Sequence, residues 1–430
     1  MKFSRLAFAA ATALAFATPA AMADLVFPSL DYRTGPYAPN GIPFADGYAD
    51  YFTLVNERDG GIGGVKARVV PCETEYNTTK GVECYEATKG EGALLYQPLS
   101  TGITYQLIPK ASADGIPIHS MGYGRTSAAN GKVFEWVFNY PGTYWDAASI
   151  IVKHIIDQEG GDISGKKIAL VYHNSAYGKE PIRTLEELAK KHGYSLTLLP
   201  VDHPGQEQKA TWLQIRRDRP DYVVMWGWGV MNQVAVQEAV NIRFPMDKFI
   251  GVWWSGAETD VLPAGEGAHG YKAITMHGVG MDFPIYADLK THVYDKGLSA
   301  GAGDQHGSVL YNRGMQAAML AVEAAKTAQA IHGAPNITAA MMRDGMEALE
   351  ITDEKLTALG LPDFMPTFEV TCANHGGSGL GAIQQWDAKT KTWSLVTDFI
   401  ASDREVIDPL IAEDSAAYAA EANITPRTCE

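Results

Sequence analysis

From residue 25 onward the chain alternates two kinds of segment. Short apolar runs (LVFPSL at 25–30, ARVVP at 67–71, KIALVY at 167–172, YSLTLLP at 194–200, DYVVMWG at 221–227, KFIGVWW at 248–254) read as strands. Between them lie stretches with apolar residues at helical spacing: 44–56, around 80–89, 100–113, 151–158, 181–193, 211–218 and 232–242. Two further strands are predicted near 93–96 and 116–120, and GGIGG at 60–64 reads as a tight turn. A strand that is apolar without alternation is one buried on both faces, so the repeated units predict an α/β fold of parallel sheets covered by helices on both sides.

Ligands in such sheets bind beyond the carboxyl ends of the strands. Two runs end in tryptophan there: Trp226 and Trp228 in VVMWGWGVMN, Trp253 and Trp254 in GVWWSGAETD. Gly227, Gly229 and Gly256 stand among them and allow close approach of the backbone to a ligand. The four indoles are therefore candidates for the lining of a cleft. The competing reading is that an indole near a strand end caps the core.

Length and composition narrow the class. With 430 residues the chain has room for two domains, and 46% apolar against 20% charged residues excludes a largely disordered protein. A formal charge of −15 speaks against nucleic acid or an anionic bilayer as partner. The first residues, MKFSRLAFAAATALAFATPAAMAD, combine Lys2 and Arg5, an apolar segment at 6–16 and an Ala21-Met22-Ala23 cleavage site, the pattern of a secretory signal peptide. Cleavage after Ala23 starts the mature chain at Asp24 with a charge of −17. No later stretch approaches the roughly 18 uninterrupted apolar residues of a membrane span, so no direct membrane insertion is expected.

An exported chain meets oxidising conditions, and its four cysteines suggest two disulfides rather than catalytic thiols. Three pairings are possible. Cys72–Cys84 with Cys372–Cys429 is favoured, because the first closes a short local loop and the second ties down the C-terminal tail. No C-x2-C pair suggests zinc, and no metal or other cofactor is expected.

LDYRTGPYAPNG (30–41), NERDGGIGGVKARVV (56–70), the cysteine-bracketed segment 72–84, SAYGKE (175–180), PDYVVMWGWG (220–229) and CANHGGSGLGAIQQWD (372–387) together resemble the leucine/isoleucine/valine type of periplasmic binding protein. These are the type I solute receptors of ABC importers. The resemblance spans nearly the whole mature chain. It implies two doubly wound α/β lobes joined by a three-crossing hinge, closing over a small-molecule solute and presenting the closed form to permease subunits in the inner membrane. The crossings are expected near 139–144, 276–281 and 369–379, where Gly278, Gly280, Gly376, Gly377 and Gly379 suit backbone rotation. One lobe would be 24–140 with 279–371, the other 141–278 with 372–430. A periplasmic monomer is expected.

The resemblance also implies contacts. Ser100 and Thr101 in PLST, and Gly122, Tyr123 and Gly124 in SMGYGR, match segments that hold a solute carboxylate. Independently, Ser100-Thr101 opens a helix, whose free amides and dipole suit an anion. From the second lobe Tyr177, Trp226 and Trp228 match positions that cover the solute, with Tyr37, Tyr144 and Trp145 as weaker candidates; Arg125 follows the carboxylate loop. In amino-acid-binding members an acidic residue receives the ammonium group. Here its place falls on Trp253 or Trp254 in VWWSG, a second falls close to Tyr144, and Glu258 and Asp146 are the nearby acids that could substitute. The expected solute is therefore a small carboxylate with an aromatic or apolar body. An aliphatic amino acid, an amide or a quaternary amine is the alternative, as is a sensor module coupled to a receptor kinase.

Enzymatic motifs fail. GEGAHG (265–270) fits G-x-G-x-x-G but precedes a strand rather than a helix, and no G-x-S-x-G, Walker A or H-E-x-x-H occurs. The histidines, including His119, His203, His277, His306 and His375, show no metal spacing, and catalysis is not expected.

Overall fold

The computed structural model describes residues 23–121 and 123–429. Most of its strands belong to two sheet systems, with one short pair apart from them. The first is built on β1 (Leu25–Asp31), flanked in parallel by β2 (Ala67–Glu73) and β3 (Gln97–Pro98). It continues through a parallel bridge from Tyr96 to Ile118 into the parallel pair β4 (Ile118–His119) and β5 (Val137–Phe138). All seven residues of β1 are buried, as a strand covered on both faces requires.

The second sheet contains β6 (Lys167–His173), β7 (Ser195–Val201), β8 (Tyr222–Trp226), β9 (Phe249–Gly251) and β10 (Lys272–Thr275), parallel in the order β7-β6-β8-β9-β10. The edge strand β7 alternates exposed and buried positions, whereas β8 is buried throughout. After the short pair β11 (Glu350–Ile351) and β12 (Phe368–Glu369), the chain adds β13 (Leu380–Asp387), β14 (Thr392–Leu395) and β15 (Ile400–Ala401). β13 lies antiparallel on β10, and β14 and β15 lie antiparallel on β13. These three depart from the purely parallel sheets predicted from the apolar runs. Antiparallel neighbours need only a tight turn, and TWSL reads as surface because β14 buries Trp393 alone.

The chain passes between the sheets three times: after β5 into the helix Tyr144–Gln158, after β10 back toward the helix Ile285–Leu289, and after β12 into β13. On the first sheet the helices Ala38–Arg58 and Val309–His332 pack together. The strand expected at 93–96 is shorter and shifted to Gln97–Pro98, with Ala93 and Tyr96 contributing single bridges.

Cys72–Cys84 and Cys372–Cys429 are bonded, with Cα atoms 5.8 and 5.6 Å apart. The C-terminal helix Arg404–Glu421 touches both halves of the molecule. At its start Arg404 pairs with Asp146 (3.0 Å) and Lys191 with Asp403 (2.7 Å). Toward its end Asp414 pairs with Arg125 (2.8 Å), Ser415 accepts from Asn130 (2.8 Å), and Tyr418 stacks on Phe134. Asn130 and Phe134 belong to the connection between β4 and β5, so the tail assigned to the second lobe also lies along the first. The signal-peptide residues before Ala23 fall outside the described residues.

Candidate functional site

The carboxyl ends of the two sets of parallel strands face one another across a narrow cavity of about 10 Å³ lined by Tyr32, Tyr76, Leu99, Ser100, Thr101, Tyr144, Tyr177, Trp228 and Trp254. Each wall residue follows a strand end or a crossing. Tyr32 follows β1, Tyr76 follows β2, and Leu99 to Thr101 follow β3; Tyr177, Trp228 and Trp254 follow β6, β8 and β9. Tyr144 begins the helix Tyr144–Gln158 after the first crossing. The space is tight, close to the room for a single water. A solute must therefore enter while the walls stand apart.

Local chemistry fixes the walls. Ser100 caps the helix Thr101–Asp114, its Oγ accepting from the Ile103 amide (3.3 Å). Tyr177 donates to the Gly227 carbonyl (2.8 Å). Ser255 and Asn232 lace the two tryptophan turns together: Ser255 Oγ donates to the Gly227 carbonyl (2.9 Å) and Asn232 Nδ2 to the Trp254 carbonyl (2.8 Å). The rings interlock. Trp228 meets Trp254 edge-on at 5.0 Å, Tyr144 meets Tyr177 at 5.4 Å, and Tyr32 meets Tyr76 edge-on at 5.1 Å.

Of the residues singled out from the sequence, Ser100, Thr101, Tyr144, Tyr177, Trp228 and Trp254 line the cavity. Trp253 lies one layer behind, stacked on Tyr144 at 5.6 Å, and Tyr123 stacks on Trp254 at 5.6 Å. Trp226 is the last residue of β8 and is wholly buried, edge-on to Tyr144. Trp226 is not among the residues lining this cavity. Buried Trp226 Nε1, Trp253 Nε1 and the Tyr123 hydroxyl have no hydrogen-bond partner among the described residues. Gly124 packs against Thr101, and Gly122 lies outside the described residues. Tyr37 sits at the rim, its hydroxyl bonded to Nε2 of His173 (2.8 Å) and to Nδ1 of His203 across the cleft. Trp145 points away and donates to the Glu180 carbonyl (2.8 Å).

The acids near the cleft are engaged elsewhere. Asp146 caps its own helix through Thr143 (2.7 Å) and pairs with Arg404. Glu258 turns its carboxylate onto the Val309 amide (3.1 Å), and Asp260 accepts from Asn40 (2.9 Å), Asn232 (3.1 Å) and the Ala257 amide (2.9 Å). Burial pushes Glu258 and Asp260 up to about 7. Arg125 lies against Tyr418 and Asp414, outside the cavity. His119 is a core residue, held down to about 4 by burial, with Nε2 on the Tyr140 carbonyl (2.7 Å). Among the described residues no group of His, Cys, Asp or Glu is placed to hold a metal ion.

Tyr32, Tyr76 and Leu99 were not anticipated. Tyr32 follows β1 within LDYRTGPY, so the strand-end rule applied to that run would have found it. Tyr76 sits in a turn at φ 57°, a position no apolar pattern marks.

A family model described as "Periplasmic binding protein" matches residues 26–391. The chain belongs to the periplasmic binding protein family. Its fold and family are those of solute-binding transport proteins, which act in the periplasm and are not enzymes. A structure described as an ABC transporter permease from the Pseudomonas fluorescens group is 42% identical, with TM-score 0.87 over 95% of this chain and 99% of that one. Among the described residues of this periplasmic binding protein, no helix is long and apolar enough to cross a membrane. A branched-chain amino acid ABC transporter protein from Thermus thermophilus with bound valine shares the fold at 21% identity and TM-score 0.76, covering 90% of this chain and 99% of that one. So does an R. palustris solute-binding protein in complex with benzoate, at 16% identity and TM-score 0.69, covering 89% of this chain and 98% of that one. No curated protein sequence matches the chain.

Proposed function

We propose that this periplasmic binding protein is the solute-capturing subunit of an ABC importer of the branched-chain amino acid transport type, and that its solute is a small carboxylate with an aromatic or apolar body. In this reading the lobes are 24–140 with 279–371 and 141–278 with 372–430, the exported chain is cleaved after Ala23, and the closed form docks on permease subunits.

The observation that carries the reading is the composition of the wall. Six of the nine lining residues are Tyr or Trp and none is Asp or Glu. An ammonium group enclosed there without a counter-charge would cost several kcal/mol. A flat apolar body gains instead, by roughly 0.5–1.5 kcal/mol per aromatic pair beyond its buried area. The solute carboxylate is assigned to the start of the helix Thr101–Asp114, beside Ser100 and Thr101. The benzoate complex of the R. palustris protein supports the class by analogy, since the same fold there holds such an acid.

A quaternary amine is the second reading, favoured by the indole and phenol faces that attract cations. Calorimetry on the mature chain separates them. Benzoate-like acids bind, while leucine, valine and choline-like cations do not; tight leucine or valine binding with no response to the acids contradicts the proposal. Loss of uptake in a deletion strain, rather than lost transcription with uptake intact, separates import from sensing.

A further inference from the structure

One buried charge is unused by the reading above. Arg313 belongs to the helix Val309–His332 on the first-sheet side and is fully buried. Its hydrogen bonds all run to neutral groups: Nη1 to the Trp253 carbonyl, Nε to Nε2 of His277 (3.2 Å) and Nη2 to Oγ1 of Thr275 (3.5 Å). Nδ1 of His277 is bonded to the Gly278 carbonyl (2.8 Å), which fixes the tautomer that leaves Nε2 free to accept. The guanidinium lies over Trp254, 5.1 Å from the ring centroid. No carboxylate of the described residues lies within ion-pair distance of it. Glu258 and Asp260, the acids in its field, make no ion pair with it, and burial pushes both up to about 7 against the amide hydrogen bonds that hold them.

A buried guanidinium without a counter-ion is costly, and a methionine or leucine would fill the same volume without that penalty. Arginine does not escape by losing its proton. Its charge acts through a medium of low dielectric on whatever occupies the cavity beyond Trp254.

We propose that Arg313 is the charge-selecting residue of the cleft. It holds the Trp253–Trp254 turn against the first lobe, one aromatic layer behind the cavity wall, and its positive charge, which makes no ion pair among the described residues, favours an anionic solute over a neutral or cationic one of the same shape. It is a positioning residue that does not touch the solute. The inference rests on the solute class proposed above.

The test is calorimetry on the full mature chain with matched series: benzoate, benzamide and benzylamine, and 4-methylpentanoate with its amide and amine. Wild type binds acid over amide over amine. Arg313→Gln narrows the acid-to-amide ratio by roughly tenfold or more, and Arg313→Lys keeps most of it. Thr275→Asp places a counter-charge beside the intact Arg313 and narrows the ratio in the same way, which covers the case in which Arg313→Gln does not fold. If acid and amide weaken together in these variants, Arg313 is only structural and the inference falls while the solute class stands. A wild type that prefers the amine, or that binds none of the acids, overturns the solute class and the inference with it.

Discussion

Trp254 stacks on Tyr123 with ring centroids 5.6 Å apart and planes 27° from parallel, although Trp254 follows β9 of one sheet and Tyr123 follows β4 of the other. The pair exists only while the two sheets face one another closely. The same indole meets Phe44, on the helix Ala38–Arg58, and Trp228. One side chain is thus both wall of the cavity and part of the closure contact.

Trp254→Ala should therefore lower solute affinity by roughly tenfold or more, from the loss of aromatic pairs worth about 0.5–1.5 kcal/mol each. Trp226→Ala should instead lower the stability of the fold, by about 3–5 kcal/mol, because Trp226 is wholly buried in β8. Calorimetry and urea unfolding on both variants check the contrast.

Gly229 has φ 58° and ψ −133°, and a Cβ there would stand 2.7 Å from the Tyr37 ring and 2.8 Å from the Pro36 carbonyl across the cleft. Gly229→Ala is expected to prop the lobes apart and to strain its own turn. Small-angle scattering with and without solute should lose its compaction in this variant, while Gly90→Ala, where a Cβ meets open space, keeps it.

Closure should depend on pH through His173. Burial holds it down to about 4, with the field of His203 adding to the effect and Asp202 opposing it, and burial lowers His203 as well. In the open form His173 returns toward its ordinary value of 6.5. The closed form then binds protons less readily, so closure is undisturbed above about pH 6.5 and weakens as pH falls from there toward 4. Glu258 and Asp260, pushed up to about 7, work in the opposite sense: they hold protons more tightly buried than free, so their contribution to stability is lost as pH rises from their ordinary values of 4.5 and 3.8 through about 7. His173→Gln removes only the first effect. Solute affinity should fall less between about pH 7.5 and about pH 5 in this variant than in wild type; equal falls would take His173 out of closure.

The two disulfides should differ in weight. Cys72–Cys84 closes a separation of 12 residues and Cys372–Cys429 one of 57. By chain entropy, replacing the second pair with serines costs about 1.4 kcal/mol more than replacing the first, each typically costing about 2–4 kcal/mol. Denaturant midpoints of the two double variants measure the difference.

The strand–helix order was legible because every buried parallel strand, such as KIALVY and DYVVMWG, is an apolar run bounded by turn residues. The start of the helix at Ser100 was legible from its cap, and of three possible disulfide pairings the bonded one was favoured by the short Cys72–Cys84 loop and by the tail that Cys429 ties down. Which indole faces the cavity was not. A strand buried on both faces carries no alternation, so nothing in VVMWGWG separates Trp226, turned into the core, from Trp228, turned onto the cavity. Arg313 was equally silent. It stands in a helix buried nearly all round, whose Ala and Met residues give no polar face against which one arginine would stand out.

The most direct test is a crystal structure of the mature chain with a benzoate-like acid. The account predicts the carboxylate within hydrogen-bond reach of Ser100 and Thr101 and the ring between Trp228, Trp254 and Tyr177. A solute held elsewhere, or one whose charged end lies against the tryptophans with no anion near Ser100, would contradict it.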